Sequence, residues 1–418
     1  MHRKDIEIMA PAGSYESLIA AIQGGADSVY FGAEQLNMRA ASSNNFTIDD
    51  LQKIVSICND SGIKSYITLN VVVYDQEIDQ MRRIVDASAA CGISAVIASD
   101  LSVINYAFSK GIGVHLSTQL NITNIESLKF YSRWADVAVL ARELNLDQVG
   151  YIYNNIREQD IRGPKGDLVR LEMFAHGALC MAISGKCYLS LHENNKSANR
   201  GECYQTCRKS YVATNSETGY ELEIDNEYMM SPKDLCTIGF LDKLIDAGVR
   251  VLKIEGRARS AEYVRVVTSC YNEAVIALED GTYSREKTDV LRERLSAVFN
   301  RGFWNGYYLG QKLGEWNTNY GSSATKRKIY IGKITNYFNR LNVAEIKLEN
   351  GDLSKGDTIL VTGPTTGAIY YETDEIRVDL KVTEKALKGE LCSIKTTDQL
   401  RRSDKVYKWV DASDIKNQ

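Results

Sequence analysis

Five of the nine cysteines in this 418-residue chain, Cys180, Cys187, Cys203, Cys207 and Cys236, fall between positions 180 and 236, where even scattering would put about one. Six, fifteen, three and twenty-eight residues separate them in turn. Only the Cys203/Cys207 step resembles a zinc-knuckle spacing, so the common zinc ribbons are not matched. In a reducing compartment such a cluster reads first as a ligand set and second as redox chemistry. Four thiolates gathered from an irregular segment suit an iron–sulfur cluster. Five candidates for four places leave one over. Cys58, Cys91, Cys270 and Cys392 lie in helical or strand patterns and read as small buried hydrophobes.

A second chemical signal is polar alternation. Successive side chains on a strand point to opposite faces. Tyr66, Thr68 and Asn70 share one face, as do His115, Ser117 and Gln119. The same holds for Glu172, Phe174 and His176, and for Lys253, Glu255 and Arg257. The opposite faces carry Ile67 and Leu69, Val114 and Leu116, Met173, and Leu252 and Ile254. Apolar faces should meet helices, so the polar faces should turn into a lumen. Ionisable groups there cost several kcal/mol unless paired or hydrated. A cavity for a polar ligand accounts for four strands doing this together. Arg39, Arg142, Lys253 and Arg257 suit a small anionic metabolite, because guanidinium forks match carboxylates. Arg142 and Glu143 close the sixth strand, and Arg39 follows the second. Glu172 and Glu255 can pair with these cations or move protons. For a nucleobase ligand, which the family resemblance given below implies, Phe174, Tyr66 or His176 can stack on the base, and Asn70 or Gln119 can read its edge.

The elements that must position these groups come from eight short apolar runs. They are Glu7 to Pro11, Ser28 to Gly32, Ser65 to Val71, Ala95 to Ser99, Gly113 to Thr118, Asp136 to Leu140, Leu171 to Ala175 and Val251 to Glu255. Amphipathic helices such as Tyr15 to Gly25, Ile48 to Gly62 and Gln76 to Gly92 separate the early ones, several ending at Gly. Alternating β and α segments mean parallel strands with crossover helices. Eight such units predict an α/β fold, a (β/α)8 TIM-like barrel over residues 1–282, with an open doubly wound sheet as the alternative. The cysteine-rich insertion, 178–236, follows the C-terminal end of the seventh strand, on the face where barrels of this kind carry active sites. Residues 283–327 form a helical and aromatic connector. From 328 to 418 the pattern turns to period 2, with the hairpin signal Asn350-Gly351, and predicts a small antiparallel β-barrel domain. The stretch Leu353-Ser-Lys-Gly-Asp-Thr-Ile359 resembles the strand entry of the β-barrel domain in translation factors.

Composition sets the outer limits. Hydrophobic residues are 44% and charged residues 25%, enough apolar chain for a large core and incompatible with global disorder. Fifty Lys plus Arg against 54 Asp plus Glu leave a net charge of -4, so a globally basic nucleic-acid binder is not indicated. A local patch such as Lys326-Arg327-Lys328 can still contact phosphates. No apolar run approaches the ~18 to 20 residues that span a bilayer, so no membrane partner is expected. The start, Met1-His2-Arg3-Lys4-Asp5, lacks the apolar region of a signal peptide, so a cytoplasmic location is expected.

The segment Glu172-Met-Phe-Ala-His-Gly-Ala-Leu-Cys180, followed by Gly185-Lys-Cys187 and Ser190, resembles the signature of the collagenase-like peptidase family of unknown catalytic type. Ala10-Pro-Ala-Gly13, His115-Leu-Ser-Thr-Gln119, Val139-Leu-Ala-Arg-Glu143, Asn199-Arg-Gly-Glu-Cys203 and Lys253-Ile-Glu-Gly-Arg257 extend the resemblance over the whole chain. It implies an iron–sulfur protein that hydroxylates without molecular oxygen. A barrel plus one small β-domain looks like the tRNA branch, which forms 5-hydroxyuridine at the wobble position and depends on prephenate. On that resemblance the ligands of a 4Fe-4S cluster are Cys180, Cys187, Cys203 and Cys236, with Cys207 competing for the third place. The catalytic candidates are His115, Glu172, His176 and Glu255. The substrate-binding candidates are Arg39, Asn70, Gln119, Arg142, Lys253 and Arg257. The implied partners are tRNA, a small anionic metabolite, and a further copy or paralogue of the chain. Peptidase activity is the first alternative and a non-enzymatic RNA-binding protein the second. The sequence holds no His-Glu-x-x-His or Gly-x-Ser-x-Gly motif for the peptidase reading.

Overall fold

The structure, a computed structural model, describes residues 2–41, 45–214, 216–218, 221–222, 228–319 and 321–415. The first seven strands are β1 (Glu7–Pro11), β2 (Ser28–Gly32), β3 (Lys64–Leu69), β4 (Ala95–Ala98), β5 (Gly113–Leu116), β6 (Val137–Val139) and β7 (Arg170–Gly177). Then come β8 (Asp234–Cys236) and β9 (Val249–Ile254). β1 to β7 and β9 pair in parallel, each with its neighbour, and β9 pairs with both β1 and β7. That closes an eight-stranded parallel barrel, so the open-sheet alternative falls.

The strands sit where the apolar runs predict, because their outward residues must be buried under helices. Ile67, Leu69, Val114, Leu116, Leu252 and Ile254 all belong to one core with the surrounding helices. Each such side chain contributes roughly 1.5–3 kcal/mol on burial. Helix ends obey local chemistry. Ser14 accepts a hydrogen bond from the Ser17 amide and caps Tyr15–Gln23. Gly92, at φ 80°, ends Ile78–Cys91 in the left-handed conformation. Inside the barrel Met9, Tyr30, Tyr66, Ile97, Val137 and Val251 form a separate apolar layer.

The pairing of β7 with β9 slips twice, first at Arg250 of β9 and then on β7. Lys253 lies opposite Phe174, but Ile254 lies opposite His176. Ala175 is therefore an extra residue, and beyond it the faces of β7 exchange. The alternation that places Glu172 and Phe174 inside places His176 outside.

The connector contains the helix Arg285–Ser296 and the short strand Phe303–Trp304, which pairs with β8. Lys326–Phe338, Val343–Leu348, Thr358–Gly363, Gly367–Glu372, Ile376–Val378, Lys381–Thr383, Leu391–Lys395 and Lys405–Asp411 then form an antiparallel sheet around its own core. Among the described residues its end strands, Gly367–Glu372 and Lys381–Thr383, are not hydrogen-bonded to each other. The edge strand Gly367–Glu372 has another partner. Gln23 donates to the Thr366 carbonyl at 2.8 Å and accepts from the Ala368 amide at 3.2 Å. Leu360 and Ala368 are buried in the barrel's own core, with Tyr370, Tyr407 and Trp409 packed on it. Asn350-Gly351 does turn the chain, but the strands beside it pair elsewhere. The tight hairpin is at Asp379 and Leu380, both with positive φ.

This docking makes the two domains one folding unit. A chain ending at 327 is expected to melt lower than the whole and to aggregate, because helix Tyr15–Gln23 would expose its covered face. Thermal unfolding with light scattering checks this; equal melting points would mean the sheet is an appendage. Among the described residues, no helix is long and apolar enough to cross a membrane.

Candidate functional site

The C-terminal ends of the strands open into a cavity of about 180 Å³. Thr68 and Asn70 from β3 and its exit, Phe174 from β7, and Lys253, Glu255 and Arg257 from β9 and its exit form its floor and one wall. Arg39, Gln119 and Arg142 come from three barrel loops, and Cys180, Cys187, Cys203 and Cys207 come from the insertion.

Beneath the floor, charges are paired. Lys253 Nζ donates to Glu172 Oε1 at 2.6 Å, and Glu172 Oε2 faces His115 Nδ1 at 3.5 Å. Both of the latter atoms are buried without a hydrogen-bond partner. Burial works to raise the Glu172 carboxyl, but Lys253 and then His115 outweigh it and hold the group below its ordinary value. The His115 ring stacks on Tyr66 with centroids 4.4 Å apart, and Tyr66 donates to Glu7 at 2.6 Å. Lys64 and Arg170 hold Glu7 at 3.0 and 2.9 Å. A file of buried polar groups thus runs from the cavity down to the barrel's other mouth.

The upper wall is cationic. Arg39 donates to Glu255 Oε1 at 2.6 Å. Burial opposes ionisation of Glu255, yet Arg39 and Arg142 bring its carboxyl down to about 2. Arg257 donates through one nitrogen to Asn37 at 2.9 Å and Thr68 at 2.7 Å, and burial lowers it to about 10. The Arg142 guanidinium lies over the Phe174 ring at 3.8 Å and donates to the Ala178 carbonyl at 3.1 Å. Asn70 donates to Ser117 and to Gln119, each at 3.2 Å. Gly177 lets β7 approach the exit of β9: its φ is 105°, and a Cβ there would lie 2.6 Å from the Glu255 carbonyl.

The structure brings together most of the residues expected from alternation. Arg39, Asn70, Gln119, Arg142, Lys253, Glu255 and Arg257 line the cavity, with Glu172 and His115 directly below. His176 is the correction. The bulge at Ala175 turns it outward, against Tyr263, Tyr271 and Phe303 at 6.1, 5.6 and 5.5 Å between ring centroids. Tyr66 is also sealed below the cavity, bound to Glu7, so of the stacking candidates only Phe174 lines the cavity. Asn37, Tyr30 and Arg208 were missed. Asn37 holds Arg257, Tyr30 donates to the Ile254 carbonyl at 2.8 Å, and Arg208 binds the Leu179 carbonyl at 2.8 Å beside Cys180. Only the polarity of Asn37 and Arg208 could have signalled them. The Lys326-Arg327-Lys328 run is engaged within the chain: Lys326 pairs with Asp411, Arg327 binds the Ser322 carbonyl, and Lys328 pairs with Glu262.

The insertion is pinned to the barrel by Arg200, which grips both oxygens of Glu77 at 2.5 and 2.6 Å. Cys180, Cys187, Cys203 and Cys207 line one cavity; Cys236 does not. Cys236 lies on β8 opposite His176 and is 2% exposed in the core. The geometry therefore collects Cys207 in place of the expected Cys236. Burial pushes the Cys207 thiol up to about 11, and burial also raises Cys236. Among the described residues, no three His, Cys, Asp or Glu side chains are grouped to hold a single metal ion.

A model of peptidase family U32 matches residues 13–318. A Porphyromonas gingivalis protein named collagenase is 59% identical over 409 residues, covering 98% of this chain and 99% of its own. A Bacillus subtilis tRNA hydroxylation protein is 30% identical, covering 86% of this chain and 84% of its own. An Escherichia coli 23S rRNA 5-hydroxycytidine synthase is 35% identical over 74% of this chain and 46% of its own.

Proposed function

The chain belongs to peptidase family U32, and from that premise we propose that it is an iron–sulfur-dependent, oxygen-independent tRNA hydroxylase. It forms 5-hydroxyuridine at the wobble position and depends on prephenate. One observation carries the reading: four thiols, the Phe174 ring and several arginines line a single cavity. The names of the relatives that hydroxylate tRNA and rRNA support the same class of reaction.

The donor set fits an iron–sulfur cluster. Four thiols lining one cavity are the kind of ligand that iron–sulfur clusters take. Cys180, Cys187, Cys203 and Cys207 would hold it. When bound, such a cluster supplies one-electron transfer. The rest is the work of side chains. An anticodon loop presents unstacked bases, so one uridine enters the mouth without duplex opening. Phe174 stacks on it, and Asn70 and Gln119, already mutually oriented, read its edge. Arg39, Arg142 and Lys253 take the carboxylates of the co-substrate, and Arg257 braces the wall through Asn37 and Thr68. Glu172 and His115 hold the mobile proton below the floor, since each keeps an unpartnered atom there.

The peptidase reading is favoured by the name of the 59% identical relative. It needs a nucleophile activated by a base. Three of the four histidine side chains face Glu279, Glu172 and Tyr271; the fourth, His192, shares a surface pocket with Cys187. Nucleoside mass spectrometry of total tRNA, with and without the gene, separates the two. The expected result is loss of 5-hydroxyuridine, restored by the wild-type gene. Unchanged 5-hydroxyuridine, with peptide release from gelatin by iron-free protein, would establish the peptidase instead.

A further inference from the structure

Among the cavity's cations Lys253 stands apart. Six arginines already line the cavity with planar forks for carboxylates. A further anion-binding group would serve as well or better as arginine. A lysine differs chemically in one respect: its amine, once deprotonated, adds to carbonyl groups. Lys253 sits at the end of a barrel strand, on the face where barrel enzymes place catalytic groups, and is 5% exposed. Its ammonium lies 4.7 Å from the Tyr30 ring centroid and 5.6 Å from that of Phe174, on the floor of the cavity.

We propose that Lys253 forms an imine with a 2-oxo acid whose carboxylate is taken by Arg39 or Arg142. The inference deepens the reading above and rests on a small oxo acid occupying this cavity. The ammonium first gives a proton to Glu172 Oε1, its partner at 2.6 Å. His115 Nδ1, facing the other carboxylate oxygen at 3.5 Å, accepts it onward. The free amine then adds to the 2-oxo carbon, making a C–N bond and a carbinolamine. The same proton returns to the carbinolamine hydroxyl, which leaves as water. Amine plus ketone gives imine plus water, with no change of oxidation state. An imine in this place draws electrons from the neighbouring carbon and so activates the oxo acid within reach of the base.

The test uses the anaerobically purified holoprotein, pyruvate as probe and cyanoborohydride as trap, followed by peptide mapping. The expected product is a single carboxyethylated lysine at Lys253, absent from Lys253→Arg, which keeps a cation for Glu172. Glu172→Gln should trap roughly tenfold more slowly or worse, as loss of a positioned proton carrier implies. Acetone, which has no carboxylate, should label Lys253 far less than pyruvate. Melting temperatures of both variants, compared with wild type, confirm that labelling is read on folded protein. Labelling absent from Lys253, or spread over surface lysines, overturns the proposal, as does equal labelling by acetone. The assay contains no RNA, so the two readings can fail separately. Loss of 5-hydroxyuridine with the gene but no trapping sinks the imine alone. Trapping at Lys253 with 5-hydroxyuridine intact sinks the tRNA reading alone.

Discussion

Protein purified without oxygen is expected to be brown, and alanine at Cys180, Cys187, Cys203 or Cys207 to remove most of its iron and sulfide. Cys236→Ala is expected to leave the iron in place. The four thiols line the same cavity, whereas Cys236 is on β8, packed beside His176 and Tyr271. Losing one of four thiolates opens a cluster to solvent, so its decay should be nearly complete rather than fractional. Losing the Cys236 thiol removes only a small buried hydrophobe, which costs about 1 kcal/mol and lowers the melting temperature by a few degrees. Iron, sulfide and visible absorption, measured beside the melting temperature, give opposite patterns for the two groups. A colourless Cys236→Ala protein with unchanged melting would make Cys236 a ligand and would require β8 to leave its pairing with β7. Colourless wild-type protein with stoichiometric zinc would end the redox reading altogether.

The barrel was legible because its strands have one apolar face throughout and its helices end in ordinary caps. Asn70, Lys253 and Glu172 could be placed in or under the lumen from position parity alone, since the slip on β7 falls only after Phe174 and the one on β9 falls before Val251. Parity fails at a bulge, and Ala175 gives no sign of one; no glycine or proline marks the slip between Phe174 and His176. The lining of the cavity was only partly legible. Clustering singled out the thiols, but that Cys207 rather than Cys236 lines the cavity with the other three depends on how an irregular insertion folds back, which spacing does not encode. In the second domain, strand Gly367–Glu372 was hidden for a related reason. Its first three residues are buried on both faces, one against the sheet's own core and one against the barrel, so period 2 is lost. The same docking covers that strand with helix Tyr15–Gln23.

The outward placement of His176 predicts a specific acid sensitivity. Burial, and after it Arg259, lowers this imidazole to about 3, against 6.5 in an unfolded chain. Between those values the unfolded chain binds a proton that the folded one refuses. Stability is therefore full above pH 6.5 and falls as the pH drops, by about 1.4 kcal/mol per unit. From pH 7 to pH 5 the loss is ~2 kcal/mol. Glu7 and Glu255, both held at about 2 by their cations, act in the same direction but lower down: their contribution is present above 4.5 and is lost as pH falls towards 2. The window from 6.5 to 4.5 thus belongs mainly to His176. His176→Phe keeps a ring among Tyr263, Tyr271 and Phe303, and Tyr271 still donates to the Ala175 carbonyl at 2.7 Å. The variant should lose less than about 0.5 kcal/mol between pH 7 and pH 5 where wild type loses ~2. Urea midpoints of both proteins at the two pH values, each with its cluster content matched, make the comparison. Because His176 does not line the cavity, the variant should also keep its tRNA hydroxylation. Equal acid slopes would mean that the imidazole titrates in solvent-like surroundings. A folded, acid-resistant variant without 5-hydroxyuridine activity would put His176 back among the reacting groups, and the bulge at Ala175 would then have to straighten when substrate binds.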